Sequence, residues 1–299
     1  MRAAAAGFIA CVSGCARRRG PIEHVRVISG PGSRPGRLRT PRALAISGDR
    51  LFVADMTDRI QVFSLDGAFL YQWHLPDFNV DGPTGLDIDE DGNLVVTDTH
   101  LYRILVCTPT GDVVASIGGI FGPGPGEFLS LRHVAVRPGG GYVTSESGTQ
   151  DRIQVFDAHG VPVRWWGSHG SGPGQFRRPE AVQVYRDGRV LVADSCNHRI
   201  QVFSSEGELL DIWGREGDGL GELRYPYDLF VGPDDLVYVC EYGNHRIQRF
   251  TLSGRAVDTW GCPGRAPGRF RDPWSVVVSN DLQVFVADAG NHRIQRFTV

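Results

Sequence analysis

The ten residues Asp194-Ser195-Cys196-Asn197-His198-Arg199-Ile200-Gln201-Val202-Phe203 return almost unchanged at 241–250 and again at 288–297. Weaker copies stand at 55–63, 98–107 and 146–156. The arginine common to all six, at positions 59, 103, 152, 199, 246 and 293, recurs at intervals of 44, 49, 47, 47 and 47 residues. Six units of that length fill nearly the whole chain of 299 residues. The fold must therefore be an array of six copies of one small unit.

Each unit reads as four short strands. In the fourth they fall near 181–185, 190–193, 199–203 and 208–213, separated by turns at Arg186-Asp187-Gly188, 195–198 and Ser205-Glu206-Gly207. In the third strand Ile200 and Val202 point to one face and Phe203 to the other, so each sheet has an apolar group on both sides and is sandwiched between neighbours. A four-stranded meander every 40 to 50 residues, packed on both faces, predicts an all-β fold, a six-bladed β-propeller. The units are joined by a second motif: Trp213-Gly214, a glycine-rich run, Leu223 and Pro226, matched by Trp166-Gly167 to Pro179 and Trp260-Gly261 to Pro273.

The last unit runs out at Val299 after three strands, which leaves an open sheet edge. The missing strand is legible at the other end. Val25-Arg26-Val27-Ile28-Ser29-Gly30, followed by Gly32, Gly36, Leu38 and Pro41, matches 257–273 in order and approximate spacing, so the N-terminal segment is expected to close the ring as the outer strand of the last blade.

The Asn-His-Arg-Ile signature at 197–200, 244–247 and 291–294, together with the Trp-Gly and Gly-x-Phe-x-x-Pro linkers, resembles the NHL repeat family. The resemblance covers residues 22–299 and implies a propeller of a kind that binds proteins, RNA or small ligands, with some relatives lyases or bacterial sensor domains.

Composition narrows the chemistry. All 31 basic residues are arginine, which excludes Schiff-base and P-loop lysine chemistry. The formal charge is −3. Beyond the first twenty residues, 27 arginines face 34 acids, a net −7 that argues against a global attraction to nucleic acid or anionic membrane. The six cysteines, at 11, 15, 107, 196, 240 and 262, lack the spacing of a zinc site or a disulfide scaffold; Cys107 and Cys240 fall in strands as small core residues.

Residues 1–20 stand apart from a single propeller domain over 21–299. Val12-Ser13-Gly14-Cys15 resembles a lipoprotein lipobox in which Cys15 is lipidated, which would make the chain extracytoplasmic or lipid-anchored. Arg17-Arg18-Arg19 directly after a short apolar run opposes export. An arginine-rich transit peptide and a disordered tail of a cytoplasmic protein are the other two readings.

The repeated Asp/Glu–Arg pairs (55 with 59, 98 with 103, 146 with 152, 194 with 199, 241 with 246, 288 with 293) are expected to staple turns and neighbouring blades, since a residue needed in every blade is seldom a catalyst. His198, His245 and His292 lie one to a blade, about 10 Å or more apart, too far to share a metal. Function is expected where the blades differ: at the residue after each linker proline, by the mouth of the central channel. Around the ring these are Arg42, Thr84, Arg132, Glu180, Tyr227 and Trp274, with Leu131 in place of the third blade's proline. Two arginines, a carboxylate and two aromatics suit recognition.

Amidating lyases resemble this repeat, and there the resemblance implies zinc-binding histidines at several of these positions. Here none is histidine; His133 is displaced by one position. No cluster of acids like the calcium site of gluconolactonase-like propellers is present at the mouth. The expectation is a non-catalytic, monomeric binding or scaffold propeller for a protein or peptide, with no cofactor and no metal. Single-stranded RNA binding, with Arg42 and Arg132 on phosphates and Tyr227 and Trp274 stacking on bases, is the alternative. A metal-dependent lyase or hydrolase is the third.

Overall fold

The computed structural model describes residues 24–77 and 82–298. The segment 1–20 and Cys15 lie outside the described residues. Among those described, the chain forms six four-stranded antiparallel sheets. Blade 1 contains β2 (Ala43–Ser47), β3 (Arg50–Ala54), β4 (Arg59–Ser64) and β5 (Phe69–His74). Blade 2 contains β6 (Leu86–Ile88), β7 (Leu94–Asp98), β8 (Arg103–Cys107) and β9 (Val113–Gly118), and blade 3 contains β10 (Leu131–Val136), β11 (Tyr142–Glu146), β12 (Arg152–Phe156) and β13 (Pro162–Trp166). In blade 4 are β14 (Pro179–Val184), β15 (Val190–Asp194), β16 (Arg199–Phe203) and β17 (Leu209–Trp213). Blade 5 has β18 (Pro226–Val231), β19 (Leu236–Glu241), β20 (Arg246–Thr251) and β21 (Ala256–Trp260).

Blade 6 takes β22 (Pro273–Val278), β23 (Gln283–Asp288) and β24 (Arg293–Thr298) from the C-terminus and β1 (Arg26–Ile28) from the N-terminus. Val27 pairs with Gln295 and Ile28 with Ile294, so the sheet edge left by the third strand is covered. The closing strand was expected over 25–29 and is observed as Arg26–Ile28.

The two-sided apolar pattern becomes six core clusters, one for each pair of adjacent blades. Ile200 and Val202 pack toward blade 5 with Leu229, Val239 and Phe250, while Phe203 packs toward blade 3 with Val155 and Phe176. The innermost strands β2, β6, β10, β14, β18 and β22 contact one another in succession and meet again between β22 and β2, so they line one central channel. Among the described residues no helix is long and apolar enough to cross a membrane.

The linkers are bound tightly against the blades. Leu38, Phe128, Phe176, Leu223 and Phe270 are fully buried plugs at equivalent linker positions. The glycine of each Trp-Gly pair makes room for them. Gly261 adopts φ +93°, and a Cβ there would fall 2.3 Å from the Phe270 ring.

Candidate functional site

The repeated signature shapes the face on which a site can form. In blade 5, Arg246 donates through Nε to Glu241 at 2.6 Å and through its Nη atoms to the carbonyls of Asp218 (2.5 Å), Gly219 (3.0 Å) and Glu222 (2.8 Å). Gln248 donates to the Glu222 carbonyl and accepts from the Gly221 amide, and Asn244 donates to the Gly217 carbonyl. The signature thus folds the incoming linker onto its own blade. Arg199 and Arg293 make the equivalent bonds in blades 4 and 6. All six expected acid–arginine pairs form.

The histidines tie each blade to the next. His198, His245 and His292 sit in left-handed conformation (φ +57°, +53° and +53°). Their Nδ1 atoms accept from the amides of Tyr225 (3.1 Å), Asp272 (3.0 Å) and Thr40 (3.0 Å), which precede the inner strands of blades 5, 6 and 1. Each Nδ1 lone pair is occupied by this bond, so these rings are scaffold.

All six post-proline residues are brought together. Arg42, Thr84, Glu180, Tyr227 and Trp274 line one recess at the channel mouth, and Arg132 reaches Glu180 with Nη2–Oε2 at 2.5 Å and Nε–Oε2 at 2.8 Å. The recess has about 10 Å³ of free volume, room for one water molecule. The mouth is therefore a lid and not an opening, because its members hold one another. The Arg42 guanidinium lies 5.1 Å from the Trp274 ring centre and that of Arg178 lies 5.5 Å from Tyr227. Tyr227 stacks on Tyr242 at 4.4 Å and meets Trp274 edge-on at 5.2 Å. Burial, followed by the Glu180 charge, pushes the Tyr227 phenol up to about 12, so it remains a neutral donor.

Two of the six serve the frame more than the surface. Thr84 donates its hydroxyl to the Arg132 carbonyl at 2.6 Å and also lies 3.0 Å from the Thr99 hydroxyl. Glu180 is buried between Arg132 and Arg178. Arg42, Arg132, Tyr227 and Trp274 are half-buried and form the plateau itself.

Around that plateau stands a feature that the sequence reading passed over. The second residue before each linker proline is Arg39, Arg177, Arg224 or Arg271 in blades 1, 4, 5 and 6, which are contiguous around the ring. All four are exposed. Their main chains are fixed: the amides of Arg39, Arg177, Arg224 and Arg271 donate to Asp55, Asp194, Glu241 and Asp288. The glycines of the facing turns leave space for their stems, since a Cβ at Gly243 would lie 2.5 Å from Arg224 Cγ and one at Gly290 2.7 Å from Arg271 Cγ. The recurrence at 177, 224 and 271 was visible as a repeat, but repetition alone assigns a residue to the scaffold. On the irregular side, Ile120 and Phe121 are exposed in the linker of blades 2 and 3, with Phe121 against Tyr102 at 5.0 Å.

Among the described residues no three His, Cys, Asp or Glu side chains are arranged to hold one metal ion. His133 lies inside the channel below the lid, its Nε2 3.8 Å from Asp228 Oδ1.

Comparison with known proteins agrees with this architecture. The NHL repeat profile matches residues 176–203, 223–250 and 270–297, the linker plugs and first three strands of blades 4, 5 and 6. The chain carries three NHL repeats within a β-propeller of six blades. It is 34% identical over 124 residues to peptidyl-glycine alpha-amidating monooxygenase B of Xenopus laevis, a match covering 38% of this chain and 14% of that one. Peptidylglycine alpha-amidating monooxygenase of Rattus norvegicus is 34% identical over 111 residues, 34% of this chain and 11% of that one. The chain thus spans a small part of the length of these curated relatives. Among solved structures, virginiamycin B lyase from Staphylococcus aureus superposes with a TM-score of 0.65 at 16% identity, over 92% of this chain and 99% of that one. A protein of unknown function from Bacteroides thetaiotaomicron gives 0.70 at 16% identity, over 92% and 75%.

Proposed function

We propose that this propeller is a non-catalytic binding platform that recognises an acidic segment of a protein or peptide on the channel-mouth face. The observation that carries the reading is the crescent of exposed Arg39, Arg177, Arg224 and Arg271 around a rigid plateau of Arg42, Arg132, Tyr227 and Trp274. Guanidinium forks pair carboxylates in bidentate fashion, and preassembled aromatics offer contact area at little entropic cost. The lid leaves no pit for a buried substrate, so the partner lies across the face. Panning a displayed random 12-residue peptide library on the full chain tests this. Enrichment of Asp- and Glu-rich sequences that Arg177→Ala/Arg224→Ala/Arg271→Ala fails to retain supports it; enrichment with no acidic bias, or retained by that variant, overturns it.

The same crescent favours a second reading, single-stranded RNA on the same face, with the arginines on phosphates and Tyr227 and Trp274 under bases. A uridine 12-mer distinguishes the two: binding that weakens steeply with salt and exceeds that of the acidic peptides assigns the face to RNA. Lyase chemistry is a third reading, resting on likeness to proteins whose names include lyase and monooxygenase. The described residues fit a zinc-dependent form poorly, since the post-proline ring supplies no histidine and His133 has one acidic neighbour within 4 Å.

A further inference from the structure

Below the lid the channel widens into a cavity of about 610 Å³ that reaches the face opposite the mouth. That size falls within the range of small-molecule pockets. Its walls are mixed, with Leu44, Ile46, Leu86, Ile88, Leu229 and Val276 supplying the apolar part. Asp87, His133 and Asp228 form the inner end, and Asp49 and Asp281 stand at the outer rim. Although the chain carries 31 arginines, none of those among the described residues lines this space. Four carboxyls against one imidazole bias this lining toward negative potential, while burial raises the pKa of Asp87 and Asp228.

The two inner carboxylates are held in place from the backbone. Asp87 accepts from the amides of Val136 (2.7 Å) and Ile88 (2.8 Å), and Asp228 from those of Val276 (3.0 Å) and Leu229 (2.8 Å). Asp87 uses one lone pair per oxygen and each oxygen retains another, whereas Asp228 also accepts from the Ser275 side chain. Among the described residues His133, whose ring packs on Gly85, is the one basic side chain lining the cavity beside them. Asp228 is buried and Asp87 half-buried beside one imidazole, and a carboxylate drawn away from water gains from a counter-charge.

We propose that this cavity binds a small organic cation, a protonated amine or quaternary ammonium carried on an apolar body, entering from the face opposite the mouth. The apolar part of the wall takes the body, and the ammonium lies against Asp87 and Asp228. The acidic rim draws the cation in. This site is separate from the mouth-face platform, and either can fail without the other.

Calorimetric titration of the full chain with three probes of similar shape tests it: phenethylammonium, 3-phenylpropan-1-ol and 3-phenylpropionate. The cation is expected to bind one-to-one, at least about tenfold more tightly than the alcohol, and the anion not at all. Asp228→Asn is expected to weaken the cation about tenfold. Because that variant alters a buried position, Asp49→Asn/Asp281→Asn at the exposed rim is the companion, expected to weaken binding about two- to threefold and to flatten its salt dependence. Equal binding of the three probes, absence of binding by the cation, or a rim variant that binds the cation as the parent does overturns the proposal.

Discussion

Arg246 offers the sharpest test of how the repeat holds the ring. Its side chain is 10% exposed and its partner Glu241 is fully buried. Arg246→Met keeps the stem but removes the charge and four hydrogen bonds, orphaning the Asp218 carbonyl and leaving those of Gly219 and Glu222 with one donor each, the Glu222 amide and Gln248. Glu241 keeps Asn244, Gln248 and the Arg224 amide but loses its counter-ion. Breaking one side of a buried pair costs about 3–5 kcal/mol. For a domain of this size that corresponds to a fall in Tm of roughly 6–12 °C by calorimetry. Adding Glu241→Gln removes the stranded charge and should recover about half of the loss.

The pH dependence gives an independent check. Burial already raises the Glu241 pKa above its ordinary value, with Arg246 the chief opposing influence. Without Arg246 it rises further. A carboxylate with a raised folded pKa contributes stability at low pH that is lost as pH climbs through that pKa, so the variant's deficit should be largest near pH 7 and shrink toward pH 5. A loss below about 1 kcal/mol, or a deficit independent of pH, would refute the view that these pairs hold the linker to the blade.

Three further outcomes follow from the same geometry. His198 accepts a backbone proton at Nδ1 only when neutral, and burial holds its pKa below the usual 6.5. Its contribution is therefore complete above about pH 6.5 and lost as pH falls through the lower folded value, so Tm should decline from pH 7.5 to 5 less steeply in His198→Ala than in the parent. Ile28→Ala, in the closing strand at 2% exposure, should cost about 2–5 kcal/mol in urea unfolding, and a loss under about 1 would mean that β1 is not needed for closure. Gly214→Ala places a methyl 2.5 Å from Leu223 at φ +89° and should destabilise by about 2 kcal/mol or more, measured the same way.

What could be read from the sequence was what repeats and what alternates. The 47-residue spacing, the strand faces of Ile200 and Phe203 and the displaced closing strand all follow from periodicity, which needs no knowledge of distance. The convergence of Arg42, Thr84, Arg132, Glu180, Tyr227 and Trp274 was legible for the same reason, because equivalent positions in a closed ring must meet at its axis. Exposure was not legible. Arg199, Arg246 and Arg293 recur every 47 residues and are largely buried; Arg177, Arg224 and Arg271 recur at the same interval and are exposed. Only the fold of the linker separates them. The lid was likewise hidden, since contacts such as Arg42 on Trp274 depend on rotamers and not on spacing. Asp87 escaped notice because its counterparts in the other blades are Ala45, Ala135, Gln183, Phe230 and Val277, a pattern without period.

Hydrogen–deuterium exchange of the full chain, with and without an acidic peptide selected from the library, tests the platform most directly. The account predicts protection at the linker ends 39–42, 177–180, 224–227 and 271–274 and in the turns facing them, with the outer strands unchanged. Protection confined to the outer strands, or to the turns on the opposite face, would contradict it.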